Sequence, residues 1–305
     1  MMQGSRGPRT PRLRVGVVGA GRVGAVLAAV LREHGHEITA VAGESSASRT
    51  RIETLLPGVR VDKPTAVARS CDLLLLTVPD DMLGNVVSML AASGALRPGQ
   101  YVVHTSGKHG LAVLQPAADI GAHVLALHPV MTFTGTDVDL GRLAGCRYGV
   151  TATPETHELA ESLATELEGS VVRVPETHRT LYHAGLAHGA NHLVTLVTQS
   201  MDILRASGDA DPAGTLRPLL AAALDNALAY GGAALTGPIV RGDVETVRAH
   251  LTDLAATEPD TLSSYVTMAR ATADRAVEDG RLLPIRAAEL HRILDDALAR
   301  ARARA

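Results

Sequence analysis

Apolar positions along the chain follow two regimes. Up to about residue 174, short apolar runs alternate with stretches of helical period. The runs at 13–18 and 73–78 are almost uninterrupted, as expected of strands buried on both faces. Further β-rich segments lie at 37–42, 101–105, 123–127, 148–151 and 171–174, with a short one near 59–61. Helical periodicity fills 24–34 and 155–167. Such alternation predicts an α/β architecture built on a parallel, doubly wound sheet. After Pro175 the β pattern stops. Segments 177–206, 218–230, 244–255, 260–279 and 284–302 all carry the helical period, which predicts an all-helical second domain of about five helices.

The first apolar run opens into Gly19-Ala20-Gly21-Arg22-Val23-Gly24 ahead of a helix. In that context each glycine has a physical task. Gly19 permits the tight turn, Gly21 lets backbone approach a pyrophosphate, and Gly24 lets the helix pack on the strand. The helix N-terminus adds free N–H groups and a positive dipole end. Gly19, Ala20, Gly21, Arg22, Val23 and Gly24 are therefore the expected phosphate-binding residues of a dinucleotide site. The predicted organisation is a disordered lead-in over 1–12, a Rossmann-type dinucleotide-binding domain over 13–175, and a helical substrate and dimerisation domain over 176–305.

The end of the second strand selects the dinucleotide. Ser45, Ser48 and Arg49 suit a 2′-phosphate held by charge-assisted bonds, whereas Glu44 suits the ribose hydroxyls of NAD. The segment favours NADP(H), with NAD as the alternative. Thr77, Val78 and Pro79 leave the strand at 73–78 and are placed beside the nicotinamide ribose; Asp80 is expected to cap the next helix.

Along the same edge, Ser106 and Gly107 offer hydroxyl and backbone donors to a substrate, while His104, inside its strand, reads as a packed histidine. The sixth strand ends in His128-Pro129-Val130-Met131-Thr132-Phe133-Thr134-Gly135. An imidazole there can protonate a developing alkoxide or amine; a structural His–Pro turn is the competing reading. The densest cluster, Tyr182, His183, His188, Asn191 and His192, lies on the first long helix. His188 and His192 are one turn apart, but a third ligand and an adjacent acid are missing, so no metal site is expected. Farther on, Arg241 can clamp a carboxylate, with Thr236 beside it in the same connector, and Asp243 reads as a helix cap.

Composition narrows the function classes. The 305 residues carry a net charge of −3, one Phe, five Tyr and no Trp, which leaves neither a basic field nor stacking platforms for nucleic acid. Two cysteines support neither a disulfide framework nor a Cys-based zinc site, so a reducing, cytoplasmic setting is expected. No apolar run reaches the 18 residues of a membrane span. Of 29 basic residues only Lys63 and Lys108 are lysines.

The glycine loop, His128-Pro129 with Phe133-Thr134-Gly135, Tyr182-His183-Ala184, Asn191, and Thr236-Gly237-Pro238 with Arg241-Gly242-Asp243 occur in that order. In this the chain resembles the family that joins a Rossmann-like domain to a helical domain of unknown function, DUF2520. That family is described as NADP-dependent oxidoreductases related to ketopantoate reductase, pyrroline-5-carboxylate reductase and the β-hydroxyacid dehydrogenases. The resemblance implies a C-terminal domain like that of 6-phosphogluconate dehydrogenase, which dimerises and covers the nicotinamide. The β-hydroxyacid dehydrogenases and ketopantoate reductases place a catalytic Lys four residues before an Asn on the first long helix. Asn191 matches that Asn, but the Lys position is Ala187, and no lysine follows Lys108.

The expected activity is therefore an NADP(H)-dependent reduction of a C=O or C=N bond in a small carboxylate, ketopantoate being the first candidate. His188 or His128 supplies the proton, Asn191 and Ser106 complete the catalytic set, and His183, Arg241 and Thr236 bind substrate. A non-catalytic NADP(H)-binding sensor is the alternative. The expected partners are a small molecule and a second copy of the chain, without nucleic acid or membrane.

Overall fold

The computed structural model describes residues 12–43 and 45–304. The expected disorder of the lead-in lies outside them except at Arg12, and so does Glu44. The described chain divides into two compact units, the first ending at His188 and the second starting at Gly189.

The first unit is a seven-stranded sheet in the order β2-β1-β3-β4-β5-β6-β7. Its strands are β1 (Arg14–Val18), β2 (Glu37–Ala42), β3 (Leu73–Leu76), β4 (Tyr101–His104), β5 (His123–Pro129), β6 (Arg147–Ala152) and β7 (Ser170–Arg173). Helices α1 (Arg22–Glu33), α2 (Ser46–Leu55), α3 (Pro64–Arg69), α4 (Asp80–Ala92), α5 (Gln115–Ala118), α6 (Val138–Arg142) and α7 (His157–Glu166) connect them. The all-leucine β3 is buried at every position, because helices cover both sheet faces. One apolar cluster joins α1, α2 and α7 to one side of the sheet, and a second joins α3 and α4 to the other.

Two features differ from the expected pattern. β6 runs antiparallel to β5, with Ala126 opposite Thr151 and His128 opposite Gly149. The connection from Pro129 to Arg147 holds only the five-residue α6, and an antiparallel neighbour needs no long crossover. The apolar stretch near 59–61 makes only one bridge, Val41 to Val61.

Helix α8 (Arg179–Ala206) begins in the first unit and continues into the second, where α9 (Pro212–Tyr230), α10 (Val244–Thr257), α11 (Pro259–Glu278) and α12 (Pro284–Arg304) follow. The expected start of α9 at 218 falls inside the helix. Asp211 caps it by accepting from Gly214 N–H, and Pro212 sits at the first position, where its missing N–H costs nothing. The core of this unit is built from α10, α11 and α12 around Val247, Val266, Ala273 and Leu290. By contrast, α9 buries only Pro212 and Leu216. The units divide inside α8, beyond the sequence-derived boundary at Pro175, because the first turns of α8 are bonded to the sheet unit.

Candidate active site

The strand order reverses at β1, which pairs with β2 on one side and β3 on the other. The loops leaving β1 and β3 therefore diverge and open a crevice at the carboxyl edge. A cavity of about 1180 Å³ fills it, lined by residues including Gly19, Gly21, Arg22, Val23, Ser45, Ser48, Arg49, Thr77, Val78, Pro79 and Ser106.

The three glycines of the turn differ in what surrounds them. Gly19 has φ +98°, a left-handed conformation, and Thr77 Oγ1 donates to its carbonyl at 2.6 Å. A Cβ on Gly24 would press into Thr77 Oγ1 and reach the Gly19 carbonyl at 2.7 Å, so Gly24 is a packing requirement. A Cβ on Gly21 would meet only the Gly19 carbonyl, at 3.8 Å. The protein leaves that space open beside the free amides at the start of α1, where Ala25 N–H is the first to return to Gly21. A dinucleotide pyrophosphate would fit that cradle.

Ala20 and Gly24 contribute differently from the other turn residues. The Ala20 side chain is fully buried and its N–H is committed to Ala42. Ser45 is the N-cap of α2, accepting from Ser48 N–H at 3.1 Å and donating to Ser48 Oγ at 2.9 Å. Arg49 lies on the same helix start with its side chain exposed, and Lys63, which the sequence reading passed over, lines the cavity nearby. Asp80 does not cap α4. Pro79 occupies the N-cap position with no side-chain hydrogen bond, so Asp80 is the first helical residue, where its charge suits the helix dipole.

A second group of side chains gathers where β4, β5 and β6 meet the start of α8. Tyr182 Oη lies 2.9 Å from His128 Nδ1, in the space left by the absent side chain of Gly149. The rings of His128 and His183 meet edge to face with centroids 6.1 Å apart. Gly107 makes room for both: a Cβ there would lie 2.9 Å from His128 Nε2 and 2.6 Å from His183 Cδ2. Ser106 Oγ accepts from His109 N–H at 3.1 Å, and Ser106 N–H is spent on His104 Nδ1. Ser106 therefore offers a substrate its hydroxyl but not its backbone donor. His104 Nε2 meets the Gly110 carbonyl at 2.8 Å, which makes it a packed, fully bonded histidine.

Burial pushes the His128 imidazole down to about 4, with the Arg179 guanidinium and His183 adding to the shift, so His128 is neutral at neutral pH. Arg179 is buried to 1% exposure and sits over the Tyr182 ring at 5.8 Å. Arg179 is absent from the residues to which the sequence points, and Tyr182 figures there only as a member of the α8 cluster, without a role. A helix start three and four residues before two aromatic rings, at i, i+3 and i+4, was the available signal.

The remaining candidates lie elsewhere. His188 is exposed, and at about 100° per residue it is roughly opposite Arg179 on α8, away from the face that carries Tyr182 and His183. Asn191, Thr236 and Arg241 are exposed residues of the second unit. Asp243 caps α10, accepting from Thr246 N–H at 3.1 Å. Among the described residues no three His, Cys, Asp or Glu side chains gather as for a metal ion, and no helix is long and apolar enough to cross a membrane. Cys71 and Cys146 are buried free thiols.

Residues 2–129 match the Rossmann-like domain family and residues 146–272 match the domain of unknown function DUF2520. No curated protein matches the chain. Among solved structures, BF3122 of Bacteroides fragilis, provisionally described as an NADP oxidoreductase, is 18% identical with a TM-score of 0.74, over 86% of this chain and 98% of that one. An imine reductase of Myxococcus stipitatus in complex with NADP+ is 17% identical with a TM-score of 0.60, over 88% of this chain and 95% of that one. A pyrroline carboxylate reductase of Plasmodium falciparum with NADP bound is 11% identical with a TM-score of 0.55, over 88% and 97%. At these identities the likeness is one of fold. The chain belongs to the proteins that join a Rossmann-like domain to a DUF2520 domain.

Proposed function

We propose that the protein is an NADP(H)-dependent oxidoreductase that reduces a C=O or C=N bond of a small carboxylate. The observation that carries this reading is the open cradle at Gly21, framed by the α1 amides, with His128, Tyr182 and Ser106 farther along the same carboxyl edge. The structures of similar fold that hold NADP support it. A bound nicotinamide supplies the hydride.

Gly19, Gly21, Arg22 and Val23 hold the pyrophosphate, Ser45, Ser48 and Arg49 receive the 2′-phosphate, and Thr77, Val78 and Pro79 border the nicotinamide ribose. Lys63 adds a cation to the same cavity. The Ser106 hydroxyl orients the substrate. As the substrate carbon gains the hydride, its heteroatom takes a proton from the His128–Tyr182 pair, which recovers one from water. His128 stands beside Tyr182 and Gly107, whereas His188 lies roughly opposite Arg179 around α8. Of the two histidines proposed as proton donor, His128 is therefore preferred to His188. Asn191, His183, Thr236 and Arg241 remain the substrate-side candidates.

The test is NADPH oxidation across keto acids, starting with ketopantoate, and cyclic imines. His128→Ala should retain NADPH binding and lose turnover. If the wild-type protein binds NADPH but oxidises none with any of these, the reading as a reductase falls and a cofactor-binding sensor replaces it. The lack of a lysine at Ala187 is the observation that favours that second reading.

The helical unit supports a homodimer. Leu219, Leu224, Leu228 and Tyr230 of α9 are 63%, 49%, 80% and 68% exposed, and a helix this apolar around its circumference normally lies buried. A second copy of the chain supplies a matching apolar surface.

A further inference from the structure

The loop that leaves β4, Ser106 to Ala112, is held from outside by two charged side chains three residues apart at the entry to α8. Glu176 stands in the 3-10 turn just before the helix. Its carboxylate accepts from Leu111 N–H at 2.6 Å and Ala112 N–H at 3.1 Å. Gly110 has no side chain, and a Cβ there would collide with that carboxylate. Arg179, one turn on, donates from Nη2 to the Ser106 carbonyl at 3.0 Å and from Nε to the His109 carbonyl at 2.8 Å. Its Nη1 donates to the Gly149 carbonyl at 3.0 Å, tying the loop to β6 opposite His128.

These bonds have an unusual charge balance. The partners of the buried guanidinium are three neutral carbonyl oxygens; the carboxylates of Glu176 and Asp80 act on it only through space. Burying a cation without a paired anion is costly, and a packed arginine held only for shape is replaceable by apolar side chains. The groups around His128 are Tyr182, His183 and Arg179 from α8 and Asp80 from α4. Arg179 is the permanent cation among them.

We propose that Glu176 and Arg179 are positioning residues: both fix the loop carrying Ser106 and Gly107 against His128, and Arg179 adds a permanent positive charge near that imidazole. The inference rests on the reading of Ser106 and His128 as reaction-site groups. Glu176 acts on the far half of the loop and Arg179 on the near half. Because Gly107 lies against both imidazoles, a loop released by either change moves the walls of the space in which a substrate meets His128. The same positive charge favours a substrate or transition state that carries negative charge, and it disfavours protonation of His128.

The test uses the full-length protein without cofactor or substrate, so it stands or falls apart from the proposed activity. Hydrogen exchange by mass spectrometry reads the segment 107–113, and NMR of labelled histidines reads His128 through a pH titration. Glu176→Ala, at an exposed position, should speed exchange of the Leu111 and Ala112 amides by at least about tenfold, the loss of hydrogen bonds to a charged acceptor. Arg179→Met should speed exchange across the loop and move the His128 titration upward from about 4. Arg179→Lys should loosen the loop, since one ammonium cannot span three carbonyls, yet hold the titration low. Unchanged exchange in Glu176→Ala overturns the proposal, as does an unmoved His128 titration in a folded Arg179→Met. Should the Arg179 variants not fold, Glu176→Ala and Glu176→Gln decide, with exchange intermediate in the amide variant as the supporting result.

Discussion

Alanine at Gly21 should weaken dinucleotide binding and leave the fold intact, whereas alanine at Gly24 should destabilise the fold. The two positions lie in one turn, and the difference comes from their surroundings. At Gly21 a methyl group meets no protein atom closer than 3.8 Å, and φ −84° with ψ −150° is open to alanine. The structural cost is the N-cap preference for Gly over Ala, at most about 1 kcal/mol. The methyl group does occupy the approach to the α1 amides. Losing one charge-assisted phosphate bond costs roughly 2–3 kcal/mol, and at about 1.4 kcal/mol per decade this weakens NADPH binding roughly 30- to 150-fold. At Gly24 the methyl group enters Thr77 Oγ1 and the Gly19 carbonyl, both held by the turn. Overpacking of about 1–3 kcal/mol plus about 1 kcal/mol for the Thr77 bond exceeds the helix-propensity gain of about 1 kcal/mol. The melting temperature should then fall by several degrees, at about 2–4 °C per kcal/mol for a unit of this size. NADPH fluorescence titration and thermal melting of both variants check this. A Gly21→Ala protein with wild-type melting that binds NADPH within about threefold of wild type would refute the cradle.

Other outcomes follow from the same geometry. Arg49→Glu should lower NADPH affinity by about 10- to 100-fold, the worth of a charge-assisted bond, and leave NADH affinity little changed; equal losses for both would show that Arg49 does not read the 2′-phosphate. Stability should depend on pH through His104 and His128, both pushed down to about 4 by burial. Between about 4 and 6.5 the unfolded chain binds protons that the folded chain excludes, so stability is full above about 6.5 and falls toward 4. Urea unfolding midpoints at several pH values read it, and His104→Asn should shallow the slope; a flat profile would contradict the buried neutral pair. Leu224→Glu with Leu228→Glu should turn a dimer into a monomer by light scattering, and an unchanged mass would remove α9 from the interface.

Much of the first unit could be read from the chain. The leucine run at β3 and the Gly19–Gly24 turn each carry a local signal, one of two-sided burial and one of backbone freedom, and both stand where expected. The direction of β6 was not legible, because an apolar run has the same pattern in either orientation. Nor was the cap of α4, since Pro79 and Asp80 both suit a helix start and only the backbone angles separate them. Along the sequence His183 reads as a substrate ligand and His188 as a proton donor, with nothing to say which of them faces the sheet. Folding sorted them by helical angle, turning His183 toward His128 and His188 to the other side of α8.

Arg179 marks the limit most sharply. Beyond its i, i+3, i+4 spacing to Tyr182 and His183, nothing in the sequence marks this arginine for burial, since its three partners lie between 30 and 73 residues away. The order of residues alone determined where backbone must be free, which segments bury both faces, and where helices begin, because these depend on neighbours a few positions apart. Tertiary structure decided which charges go uncompensated, which imidazole stays neutral and which glycine leaves room for a ligand. Those properties depend on desolvation and on atoms that meet only after the sheet has assembled.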